Sequence, residues 1–287
     1  MMKIISLTLL TTVLTLAAST LNAKPFVFTA IPDQDETQLQ QRFNKVAHYL
    51  EKTLNVEVKY IPVKSYTAAV SAFRNNQVQL AWFGGLSGVQ ARRLVPGSVA
   101  IAQGIEDQHF KTYFIAHHSS HLKKQDTLPE QMANMTFTFG SKGSTSGRLM
   151  PEFYIREHFK KSPNDLFRSV GFSGDHSRTL TLVQSGTYQL GALNFKVWDS
   201  ALAKGEIDLS KVSIIWETPE YPDYQWTIRG DVSAQWGEGF SQKVQQALLN
   251  IKDPELLNSF PRQGFIPASN EDYDPILNTA KSIGIIE

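Results

Sequence analysis

Residues 139–155, FGSKGSTSGRLMPEFYI, gather glycines at 140, 143 and 147 and the hydroxyls of Ser141, Ser144, Thr145 and Ser146 just ahead of an apolar run with helical spacing. Such a loop is suited to hold an anion. The first N–H groups of a helix have no partner within it and lie at the positive end of its dipole. Glycines let the main chain approach a ligand closely, and hydroxyls add neutral donors. Pro151 carries no N–H and is placed to mark the first turn, leaving the amides before it free. Other readings compete. A phosphate-binding Walker loop needs lysine directly after its last glycine, whereas Gly143 is followed by Ser144 and Gly147 by Arg148, so a nucleotide site is not supported. GSTSG has the outline of a hydrolase nucleophile elbow, with Thr145 in the serine position and His176 as the imaginable base. A tight turn with a serine helix cap would also account for these residues. On the loop alone, cap, anion cradle and catalysis all stay open.

In parallel α/β sheets the ligand crevice lies beyond the carboxyl ends of the strands, where loops run into helix N-termini. The pattern puts residues 140–147 at such a point, between the strand TFTFG and the helix GRLMPEFYIREHFKK. Upstream, PFVFTAI reads as a strand and PDQDE as a helix start, with Asp35 and Glu36 suited to the helix dipole. Leu39, Phe43, Val46, Leu50 and Leu54 then step by three or four, the period of one buried helix face. VEVKYIPV, TAAVSAFRNNQ and VQLAWFGG continue as strand, helix and strand, a parallel α/β signature. After the polar stretch HHSSHLKKQDTLPE the alternation restarts and runs through SVGFSG, SRTLTLVQSG, YQLGALNF, KVWDSALAKG and VSIIWETP. The chain returns through QWTIRGD and ends in helical material too small for a third core. The fold class expected is α/β in two lobes, each a mostly parallel sheet flanked by helices, with the ligand in the cleft between them. Lobe 1 would hold residues 24–117 and 226–287, and lobe 2 residues 118–225.

Residues 1–23 give one positive charge at Lys3, an apolar run from Ile4 to Ala18, and then small and polar residues, which reads as a cleaved export signal. Its removal leaves 27 basic against 27 acidic residues, a neutral balance that does not suit a nucleic-acid partner. With no cysteine, disulfides and thiolate metal sites are excluded. His117, His118 and His121 in AHHSSH invite a zinc reading, but the spacing matches no strong motif, so neither metal nor cofactor is expected.

Five pieces spread in order over nearly the whole mature chain carry a resemblance: IPDQDET (31–37), YTAAVSAFRNNQVQLAWFGGLSGVQAR (66–92), FTFGSKGSTSGRLMP (137–151), GFSGDHSRTLTLVQSG (171–186) and YPDYQW (221–226). The chain resembles the phosphate, phosphite and phosphonate substrate-binding proteins of ABC importers, and within them the branch called putative selenate-binding proteins. The resemblance implies a periplasmic, monomeric binding protein of the type II two-lobed kind. It would close by a hinge on a small tetrahedral oxyanion and serve a permease in the inner membrane, with no catalytic residue; a periplasmic sensor that presents the loaded lobe to a membrane receptor is the alternative. It also implies that Ser144, Thr145 and Ser146 cradle the head group, that Tyr66 and His176 close the other side, and that Phe110 replaces a tyrosine of the aromatic wall. Phe83, at a strand end, would help exclude water. An acid used by members that bind an amino group is absent, since Phe195 and Lys196 follow ALN. A second family acid aligns near Tyr224, with Asp223 beside it. The lost acid and the gained Lys196 lean toward a fully ionised anion such as selenate, because a buried acid favours a ligand that still carries a proton.

Overall fold

The computed structural model describes residues 24–287, so the expected export signal at 1–23 lies outside the described residues. From the start, β1 (Phe26–Ala30), α1 (Glu36–Leu54), β2 (Val58–Tyr60), α2 (Tyr66–Arg74), β3 (Leu80–Phe83), α3 (Gly85–Leu94) and β4 (Val99–Gly104) build the first lobe. The chain then crosses to β5 (Thr112–His117), β6 (Thr136–Phe139), α4 (Met150–Phe159), α5 (Pro163–Leu166), β7 (Ser169–Phe172), α6 (His176–Gln184), β8 (Leu190–Asn194), α7 (Phe195–Ala203) and β9 (Val212–Glu217). It returns through β10 (Gln225–Ile228), α8 (Ser233–Trp236), α9 (Phe240–Leu249), α10 (Pro254–Ser259), β11 (Phe265–Pro267) and α11 (Asp274–Ser282).

Local chemistry explains the elements. Asp35 caps α1 by accepting the Thr37 and Gln38 amides, and Asn55 ends it in the left-handed region at φ 54°. Leu39, Phe43, Val46 and Leu50 are all buried, which stabilises the docked helix by about 1.5–3 kcal/mol for each side chain. Phe43 meets Phe28, Trp226 and Phe260 edge-on, so the helix locks onto strands that come from both ends of the chain.

The first sheet has the order β11-β4-β10-β3-β1-β2, with β1 to β4 running one way and β10 and β11 the other. The second has the order β7-β6-β8-β5-β9, with β5 alone reversed. Each sheet therefore receives, between strands of its own, an antiparallel strand arriving from the other lobe. β5 pairs with β8 and β9 in the second sheet, so the division expected at 117/118 comes earlier, and the first crossing is 105–111. The stretch 85–117, unread in the sequence, contains α3, β4 and β5. VAIAQG and TYFIAH lack a clean two-residue alternation because both faces of these strands are covered.

The crossings at 105–111 and 218–224 pair with each other. Phe110 and Tyr221 exchange backbone hydrogen bonds of 2.9 and 3.0 Å, and the Asp223 amide donates to the Asp107 carbonyl at 2.9 Å. Arg262 clamps this ribbon through a buried two-point bond to Asp107, Nη2 to Oδ1 at 2.8 Å and Nε to Oδ2 at 2.9 Å. Such a pair is geometrically specific and holds the hinge to the return segment.

Candidate anion-binding site

The glycine and hydroxyl loop forms one irregular turn. Ser144 caps it by accepting the Gly147 amide at 3.0 Å, and residues Thr145–Leu149 form a π-type turn that runs into α4. Pro151 explains the irregularity, since it has no N–H to offer the carbonyls one turn back. Those carbonyls find other donors: the Gly140 amide reaches the Gly147 carbonyl at 2.8 Å, and the Thr112 hydroxyl reaches the Ser146 carbonyl at 2.8 Å. Thr112 is held in turn by the Tyr221 hydroxyl at 2.5 Å. The amides of Thr145 and Ser146, first and second in the turn, have no acceptor among the described residues. Two unpaired donors at the positive end of a helix are what an anion requires.

The opposing face comes from the other lobe and the hinge. The N-terminus of α3 points at the turn, with the Leu86 amide donating to Thr145 Oγ1 at 3.0 Å and the Gly85 amide to Asp223 Oδ1 at 2.8 Å. Burial pushes the Asp223 carboxyl up to about 7, opposed by the Gly85 amide and the neighbouring Thr145 and Ser146 hydroxyls. His176, first residue of α6, accepts the Asn194 amide at Nδ1 (3.3 Å), so its proton sits on Nε2, 3.5 Å from Ser146 Oγ. Burial holds this imidazole down to about 3, and it stays a neutral donor at neutral pH. The His176 amide itself reaches across the cleft to the Asp33 carbonyl at 3.0 Å. Tyr224 donates to Asp33 Oδ2 at 2.8 Å and accepts from Asn194 Nδ2 at 3.0 Å, a chain of bonds joining both lobes.

Tyr66 opens α2 and packs against the Gly143 main chain. Its hydroxyl is buried near Ser144 with no hydrogen-bond partner among the described residues. Phe110 lies in the hinge ribbon, edge-on to Phe195 at 4.8 Å and tilted on Tyr224 at 5.3 Å. Phe83 packs edge-on to Phe73 within the first core, which also holds Tyr66, Phe110 and Tyr224. Ser144, Thr145, Ser146, Tyr66, His176, Asp223, Tyr224 and Phe110 are thus brought together, all buried, with the lobes closed on one another. Lys196 pairs with Glu106 at 3.7 Å and lies over the Phe195 ring, so its charge no longer supports the lean toward a fully ionised anion, which is left resting on the lost acid. His117 bonds Ser119 and lies tilted against His118, and among the described residues no three metal-ligating side chains converge.

Sequence reasoning passed over Asp33, Asn194 and Tyr221. Asp33 and Asn194 stand at the carboxyl ends of β1 and β8, the position that the crevice rule marks, and that signal was available. Tyr221 acts only through pairing of the two crossings, which no local pattern announces.

The profile described as "ABC transporter, phosphonate, periplasmic substrate-binding protein" matches residues 28–273. The chain belongs to this family. A Prochlorococcus marinus protein named as a probable ABC transporter phosphite-binding protein, PhnD1, is 39% identical over 272 residues, 92% of each chain. The structure of PhnD1 with methylphosphonate superposes with a TM-score of 0.87 at 40% identity, covering 92% of this chain and 99% of that one. The Escherichia coli phosphonates-binding periplasmic protein is 25% identical over 262 residues, 90% of this chain and 75% of that one. The binding protein is accordingly a solute-capturing component of an ABC importer and not an enzyme, which closes the catalytic reading of GSTSG.

Proposed function

We propose that this binding protein captures a small phosphonate- or phosphite-type oxyanion between its lobes and hands it, as a monomer in the periplasm, to an inner-membrane permease. The observation that carries the reading is the pair of amides at Thr145 and Ser146 with no acceptor among the described residues, in a turn whose Thr145 hydroxyl meets the N-terminus of α3 across the cleft. Ser144, Thr145, Ser146, Tyr66 and neutral His176 supply donors to the tetrahedral head. Phe110, Tyr224 and Phe195 form an aromatic layer that offers an apolar surface to a small substituent. The ligands in the names of the two Prochlorococcus comparisons, phosphite and methylphosphonate, are of this size. Calorimetry with methylphosphonate, phosphite, phosphate, sulfate, selenate and an aminoalkyl phosphonate tests it, and the first two should bind tightest. Thr145→Ala removes one charge-assisted hydrogen bond and leaves the Leu86 amide unpaired, so affinity should fall about tenfold or more. Unchanged affinity in a folded variant would take Thr145 out of the site.

A further inference from the structure

Two acids stand in the closed cleft, and their surroundings differ. Asp223 takes the Gly85 amide at Oδ1, 2.8 Å away, beside the hydroxyls of the turn. Asp33 is engaged on one side only. Its Oδ2 takes the Tyr224 hydroxyl at 2.8 Å, while Oδ1 is buried with no partner among the described residues. The Tyr66 hydroxyl is likewise buried and unpartnered, and after burial the Asp33 carboxylate is the main cause that raises it. Residues of the second lobe close over Asp33: His176 through its amide, and Asn194 through Tyr224. The titratable groups facing it are Arg42 and Tyr60 from the first lobe, with Tyr66, Tyr224 and Arg262. Burial outweighs the two arginines and raises the Asp33 carboxyl.

We propose that Asp33 selects the protonation state of the captured anion: its free Oδ1 accepts the acid hydrogen of a singly protonated tetrahedral oxyanion, and anions without a proton are rejected. This rests on the anion-binding reading above. A carboxylate oxygen is an acceptor, and so is every oxygen of sulfate or selenate, so the contact would leave two buried acceptors opposed. Methylphosphonate or phosphite carrying one proton turns the same contact into a short charge-assisted bond. The proton stays on the ligand oxygen and is shared toward Oδ1, so no other proton source is needed. Tyr66 then donates to a neighbouring oxygen of the head, and both unpartnered groups are satisfied by one ligand.

The test is a ratio of affinities. The unaltered protein should prefer methylphosphonate over sulfate by on the order of a thousandfold or more, as sites built around a substrate hydroxyl do. In Asp33→Asn the amide oxygen keeps the Tyr224 bond, and Nδ2 stands where Oδ1 stood as a donor. Sulfate affinity should rise and the methylphosphonate-to-sulfate ratio fall tenfold or more. Equal weakening of both anions would show that Asp33 merely latches the lobes and would overturn the proposal, as would an unchanged ratio. Should Asp33→Asn fail to fold, the unaltered protein still decides. At a pH where methylphosphonate is doubly ionised in solution, calorimetry in buffers of different ionisation enthalpy should show about one proton taken up for each anion bound, and none at all would overturn it. Failure of the parent reading looks different, because the unaltered protein would then bind neither methylphosphonate nor phosphite.

Discussion

On the cradle face of the cleft every donor is neutral and most come from one turn of chain, whereas the hinge face carries buried charges drawn from across the sequence. Ser144, Thr145 and Ser146 offer hydroxyls and two free amides, and burial holds His176 uncharged. Opposite them stand Asp33, Asp107, Asp223, Arg42 and Arg262, all buried, with Asp107 and Arg262 separated by 155 residues. The difference divides the work. Neutral donors can solvate an anion without titrating near neutral pH, while charges set which proton comes with it and how firmly the lobes hold together.

The comparison is most readily broken at the hinge. Asp107→Ala leaves Arg262 buried without its carboxylate, and should cost about 3–5 kcal/mol in urea unfolding. A double replacement, Asp107→Leu with Arg262→Met, should cost far less, because no charge is then stranded. A single variant as stable as the parent would mean that water already reaches this pair.

The two faces should also respond to pH with opposite sign. Asp223 is raised from 3.8 to about 7 in the folded protein, so between those values the native state holds a proton that the unfolded chain has lost. Its contribution to stability is full below pH 4 and disappears as pH rises to 7. His176 is lowered from 6.5 to about 3, so its contribution is full above 6.5 and disappears as pH falls. Between pH 4 and 6.5 the slopes oppose, each about 1.4 kcal/mol per pH unit. Relative to the parent, Asp223→Asn should therefore tilt the stability curve upward with pH, and His176→Gln should tilt it downward. Chemical denaturation across that range checks both, and tilts of the same sign would show that the two faces are not electrically distinct.

The same division governs what could be read from the sequence. The cradle was legible because its donors are contiguous and sit between a clear strand and a clear helix; even the effect of Pro151 was in view, although the π-type turn it imposes begins earlier, at Thr145. Asp223 and Tyr224 were reachable only through the ordered family motifs. The hinge was not legible. Its elements, Phe110 against Tyr221 and Asp107 against Arg262, are made by contacts between distant segments, and β5 was assigned to the wrong lobe because strand pairing, which decides membership, leaves no mark in a short, fully covered strand. Lys196 illustrates the reverse error. Its charge was visible, but only packing shows that Glu106 takes it.

A smaller effect tests the geometry of the cradle itself. A methyl group at Gly147 would stand 3.0 Å from His176 Cε1, 3.1 Å from the Gly140 Cα and 3.1 Å from Ser144 Oγ. None of these neighbours can retreat freely: the imidazole is held by the Asn194 amide, Gly140 is bonded to the Gly147 carbonyl, and Ser144 caps the turn. Gly147→Ala should therefore cost about 1–3 kcal/mol of stability as overpacking does, and weaken methylphosphonate as well, because the strain falls on the donors. Gly205 provides the contrast. Its φ of +72° makes an alanine there strained too, yet no atom lies within 4 Å of the added carbon. Gly205→Ala should lower the melting temperature through the backbone alone and leave anion affinity intact. If Gly147→Ala likewise lost stability but bound methylphosphonate as the parent does, His176 and Ser144 would not be acting on the anion, and the donors would have to be sought in the two free amides alone.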